Sequence, residues 1–150
     1  MKKLCRSFGF AFCGLVSAVK NERNFRTHLV AMATVIYFSA VYGIEKWEAV
    51  CLSAMIALVL AAELFNTAIE AVVDIASPEK NPLARIAKDS AAGAVLVFAI
   101  ASVAVAVFVF SESQGWKRVF EYIKENYGYV TAFAALGTGF IFFRTKEKKQ

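Results

Sequence analysis

Four stretches of this chain are apolar and uncharged for so long that they decide most of what it can fold into. Thr27 to Ile44 holds only His28 as a strongly polar residue, and Ala49 to Ala62 holds nothing more polar than Cys51 and Ser53. Ser90 to Phe110 and Tyr127 to Phe143 carry no charge at all. A helix needs roughly 17–25 mostly apolar residues to cross a bilayer. The runs therefore predict an all-α class, a polytopic membrane helix bundle with three core transmembrane helices and a fourth. The fourth is the shortest and is interrupted by Gly128, Gly137 and Gly139.

Charge placement orients the spans. With four spans and a cytoplasmic N-terminus, thirteen of the seventeen Lys and Arg fall inside and four outside; with three spans the split is nine against eight. The positive-inside rule then favours four spans with both termini in the cytoplasm. The net charge of +5 reflects topology. The basic residues flank spans and form no stripe with stacking aromatics, so no nucleic-acid partner is expected. Cys5, Cys13 and Cys51 make no metal-ligand spacing and are expected to be small apolar packing residues. A cleaved signal peptide is not expected, because Arg6, Gly9, Gly14 and Lys20 interrupt the first apolar stretch and no clear A-x-A site follows.

Leu4, Phe8, Phe12, Leu15 and Val19 recur at intervals of four, four, three and four. That is one apolar face of a helix, with Lys2, Lys3, Arg6 and Lys20 at its ends. It is too short and too basic to span, and should lie in the cytoplasmic interface as an N-terminal amphipathic surface helix. The short turn from Tyr42 to Trp47 makes the first two spans an antiparallel hairpin, with Trp47 suited to the outer interface. Pro82 is placed to open the third span. Ser111 to Asn126 mixes charges with Trp116, Phe120, Tyr122 and Ile123, as an amphipathic segment on the outer face would.

The second span carries the chemistry. After fourteen residues without charge come Glu63, Asn66, Glu70 and Asp74, at intervals of three, four and four, which is one stripe of a helix. The stripe follows about 21 Å of apolar helix, which places it at the inner membrane boundary. An ionised group at membrane depth costs a few kcal/mol or more, so it needs a partner, a cation or a wet cavity. Glu22, Glu63, Asn66, Glu70, Lys88 and Asp89 together could form a hard oxygen site for Mg2+, a cation for a polyphosphate and a carboxylate to take an alcohol's proton. No GxxxxGK[ST] or kinase glycine loop is present. From spacing alone three readings stay open: a phosphoryl-transfer enzyme, a small ion-coupled transporter, or interhelical polar packing.

The strings ERNFRTH (Glu22 to His28), AELFNTAIEAVVD (Ala62 to Asp74) and ARIAKDSAAGAVL (Ala84 to Leu96) resemble the motifs of the small bacterial integral-membrane lipid kinases, the family of diacylglycerol kinase and undecaprenol kinase. The resemblance covers residues 1–110, a membrane lipid kinase domain, and leaves 111–150 as a C-terminal extension with the extra span. It implies that Glu63 is the general base, that Glu22 and Glu70 hold Mg2+ against the ATP phosphates, and that Asn66 supports the same centre. It implies that Lys88 contacts phosphate and that Asp74 and Asp89 are nucleotide-side or structural positions. A homotrimer is implied on the same basis.

Diacylglycerol-using members tend to carry Glu where this chain has His28, and Trp and Tyr where it has Phe12 and Phe10. The resemblance is therefore closer to undecaprenol kinase. His28 itself is expected to be an interfacial hydrogen-bonder with no catalytic role. The extension lacks the histidine and arginine motifs of the lipid phosphatase domain fused to some relatives, and reads as a packing helix or remnant.

Overall fold

The structure is a computed structural model that describes residues 2–79 and 81–143, and side chains from residue 5 onward. The side chains of Lys2, Lys3 and Leu4, residue Lys80 and the basic tail after Phe143 lie outside the described residues. Among them the chain is all-helical: α1 (Lys2–Asn21), α2 (Arg23–Tyr42), α3 (Lys46–Ala76), α4 (Pro82–Val109), α5 (Ser113–Glu125) and α6 (Tyr127–Phe142).

Helix boundaries follow local chemistry. Asn81 caps α4 by accepting a 2.8 Å hydrogen bond from the Leu83 amide, and Pro82 takes the first helical position, where its missing N–H costs nothing. The start of α3 is a reciprocal capping box between Glu45 and Glu48. Gly43 closes α2 at φ 79°, a left-handed cap that glycine adopts without strain. Glu22 is the single residue between α1 and α2.

The antiparallel pair α3 and α4 is the most extensive helix contact, and α2 packs on α3 on one side and on α5 and α6 on the other. Both α3 and α4 are long and apolar enough to cross a membrane. The expected first span forms as most of α2, twenty residues that open with Arg23, Arg26 and His28. The expected fourth forms as α6, which is apolar but has sixteen residues. At 1.5 Å per residue that is about 24 Å, short of a hydrocarbon core of about 30 Å.

Large apolar side chains point outward, among them Phe65, Val72, Leu96, Val97, Val107 and Phe108, as suits a bundle solvated by lipid. Phe8 and Phe12 on α1 are exposed as well, on the face expected to meet the interface. The cysteines depart from expectation. All three are free and exposed, because they sit on outward faces of α1 and α3 and do not fill the protomer's interior.

The end of the bundle where α2 meets α5 is held by aromatics. Tyr42 is buried, donates its hydroxyl to the Glu112 carbonyl at 2.6 Å and packs edge-on against Phe110 and Trp116. At the other end, in the first turn of α2, Arg26 is buried. Its guanidinium donates to the Val19 and Lys20 carbonyls of α1, each at 3.0 Å, and to the Ile141 carbonyl of α6 at 3.2 Å.

Candidate active site

The polar stripe lies on the C-terminal half of α3, as its spacing predicts, and it is only partly buried. Glu63 and Asn66 face the interior at 4% and 8% exposure, Glu70 is half-buried, and Asp74 is open. The gradient follows from helix geometry: each step of three or four residues moves about 5 Å toward the end of the helix.

Glu63 meets His28 of α2, with Nε2 and Oε1 3.1 Å apart. An ionised Glu63 can only accept, so the imidazole Nε2 is the group able to donate across this contact. The Glu22 and Glu70 carboxylates lie within electrostatic reach of Glu63. Asn66 donates its amide to Glu70 Oε1 at 2.8 Å, while its own Oδ1 is buried without a partner. A buried, unpaired amide oxygen costs about 1–3 kcal/mol.

Lys88 on α4 pairs with Asp74 on α3, Nζ to Oδ1 at 2.5 Å. Asp89 turns away from that pair and meets Arg85 one turn earlier, at 3.5 Å on an exposed surface. Adjacent helical residues diverge by about 100°, so Lys88 and Asp89 cannot share a partner on one face. The structure thus brings His28, Glu63, Asn66 and Glu70 together, with Glu22 close by. It sets Asp74 and Lys88 at the outer edge and leaves Asp89 apart.

Among the described residues no group of three or more His, Cys, Asp or Glu forms a ready cation site. The donors present are nonetheless carboxylates and an orphaned amide oxygen, the hard oxygen set that Mg2+ takes, commonly completed by water and substrate phosphate. The residues fit the ion as partial ligands.

Two residues escaped the sequence reading. His28 was expected to bond at the interface, and its partner is the most buried carboxylate of the stripe. Its standing as the only strongly polar residue in Thr27–Ile44 was the available signal. Arg26 had no comparable signal, because backbone carbonyls, its acceptors, are present at every residue.

Comparison with known proteins places the chain among relatives. Residues 9–110 match the family model described as prokaryotic diacylglycerol kinase. An undecaprenol kinase of Bacillus subtilis is 37% identical over 112 residues, which cover 73% of this chain and 89% of that protein. A diacylglycerol kinase of Synechocystis is 42% identical over 100 residues, which cover 66% of this chain and 57% of that protein. The diacylglycerol kinase of Escherichia coli K12 is 33% identical over 101 residues, covering 67% and 83%. No solved structure matches the chain.

Proposed function

We propose a substrate and a mechanism for this chain from one premise: it belongs to the prokaryotic diacylglycerol kinase family, and it is a lipid kinase that uses ATP. The acceptor in this reading is undecaprenol, phosphorylated at its terminal hydroxyl on the cytoplasmic face of the inner membrane. Support for that lipid comes from the match to the Bacillus subtilis undecaprenol kinase, which spans nearly all of that protein. The 42% identity to the Synechocystis diacylglycerol kinase favours a second reading, in which the acceptor is diacylglycerol and the product phosphatidic acid. Family membership sets aside the ion-coupled transporter.

The observation that carries the chemistry is the buried Glu63 carboxylate at the inner end of an apolar helix, where a lipid's polar end and a nucleotide can meet. Glu63 accepts the proton of the acceptor hydroxyl as that oxygen bonds the γ-phosphorus. The bond to the β,γ-bridging oxygen breaks, and its electron pair leaves with ADP. Lys88 exchanges Asp74 for the ATP phosphates, and Asp74 and Asp89 line the nucleotide side. Glu22 and Glu70 would hold Mg2+, which when bound neutralises charge on the polyphosphate. Asn66 orients Glu70 through its amide and offers Oδ1 to the same centre.

Residues 1–110 would supply this machinery, with 111–150 an extension packed on α2 through α5 and α6. A homotrimer is the proposed assembly, and the outward apolar faces of α3 and α4 suit contact with lipid or with other copies. The test is transfer from γ-labelled ATP in detergent–lipid micelles, with undecaprenol and diacylglycerol in parallel, for wild type and Glu63→Gln. Labelled polyprenol phosphate that requires Glu63 supports the reading. Labelled phosphatidic acid replaces the lipid. Absence of transfer to either, from folded protein, ends it.

A further inference from the structure

Glu63 carries the proton in the proposed reaction, so what holds its carboxylate matters as much as the group itself. Three ion pairs form among the described residues, and only the one with His28 reaches Glu63. The His28 side chain is 24% exposed and that of Glu63 5%, so the contact is sheltered from water. The rest of the imidazole borders a cavity of about 110 Å3 between α2, α3 and α4. Met32, Val35, Met55, Val59 and Val103 line that cavity, and apart from His28 its one polar side chain is Ser102. An imidazole edge facing those side chains finds almost no competing acceptor, so the orientation of the ring is set by Glu63 and that of Glu63 by the ring.

We propose that His28 is a positioning residue for phosphoryl transfer: its Nε2–H ties down Oε1 of Glu63 and leaves Oε2 aimed at the acceptor hydroxyl. The role rests on the reading of Glu63 as the base. His28 touches neither ATP nor lipid in this arrangement and acts through Glu63 alone. A loosely held carboxylate spends most of its time misaligned with the hydroxyl, and small misplacements of a reacting group cost about 10²-fold in rate. Loss of the bond should therefore lower kcat and leave the nucleotide site alone.

His28 is the single histidine of the sequence, which permits a readout independent of catalysis. Protein with 15N-labelled histidine gives one imidazole by NMR. In the wild type Nε2 should be the protonated nitrogen, Glu63→Gln should move its signal, and Glu121→Gln on α5 should leave it in place. Kinetics supply the second arm. His28→Leu should lower kcat about tenfold or more with the KM for ATP unchanged, and His28→Gln, whose amide can donate at similar reach, should recover most of the loss. An imidazole signal indifferent to Glu63→Gln overturns the proposal even where the kinase assay works. So does wild-type kcat in His28→Leu, or a His28→Gln no better than His28→Leu. A wild type that shows the coupling but phosphorylates neither lipid overturns the kinase reading, and the positioning role with it.

Discussion

Lys88 of α4 closes on Asp74 of α3 across the 77–81 connection, Nζ to Oδ1 at 2.5 Å, and not on its sequence neighbour Asp89. The pair joins the two helices at the edge where a nucleotide would enter. Both side chains are partly open to water, at 36% and 67%. Exposed pairs of this kind contribute about 0–1 kcal/mol, too little to explain a lysine here by stability.

Lys88→Met should therefore leave thermal unfolding in detergent nearly unchanged while phosphate transfer falls about 10²-fold, the usual consequence of removing one charged donor from a transferring phosphoryl group. A variant that loses stability and activity in parallel would make the lysine a structural clamp.

The Asn66–Glu70 bond predicts a shift in the metal requirement. Glu70→Gln keeps an oxygen to accept the Asn66 amide, so the local fold should persist while a negative charge is lost. Asn66→Ala removes the donor and the orphaned Oδ1 together. Both variants should need about 10–100-fold more Mg2+ for half-maximal rate, and chelation should stop transfer in all forms. Initial rates across a Mg2+ titration decide it. Unchanged titration midpoints would remove Glu70 from the metal site.

What was legible in the sequence was whatever repeats along one helix. Glu63, Asn66, Glu70 and Asp74 announce a stripe because three and four residues bring side chains back to one face, and Pro82 announces a helix start because its ring fits there. Contacts between helices were not legible in this way. His28 lies thirty-five residues before Glu63, and no local pattern specifies that pairing. Lys88 had two acidic candidates, Asp89 beside it and Asp74 on another helix, and only the path of the connection selects between them. The motifs gave the family. The imidazole against Glu63 had to come from the packing of α2 on α3.

Gly115 sets a packing limit where α5 meets the end of α2. A Cβ there would come within 2.2 Å of the Tyr42 ring, which is itself buried and fixed by its bond to Glu112. Gly115→Ala must displace the ring, and overpacking of this kind costs about 1–3 kcal/mol. Tyr42 lies about 21 Å along α2 from His28, the partner of Glu63, so the rate of the surviving folded protein should be unaffected. A lowered unfolding temperature with normal kcat at low temperature is the expected pair of results. Unchanged stability would mean that Tyr42 repacks freely.

Arg26 makes the last prediction, because it is the side chain through which α1 and α6 are held to the start of α2. Its three hydrogen bonds end on carbonyls at the C-terminal ends of α1 and α6, where helix dipoles favour a cation. A lysine keeps the charge but cannot span the same three acceptors with a planar fork. Arg26→Lys should release either α1 or α6, each lost bond to a charged group costing about 1.5–3 kcal/mol. Hydrogen exchange should then speed up in the last turn of α1 or of α6 while the α3–α4 pair stays protected, since Arg26 bonds neither of those helices. Exchange that accelerates evenly through all helices would show that Arg26 supports the bundle as a whole. Release of α6 alone, with phosphate transfer intact, would show that the extension is dispensable to the chemistry at Glu63.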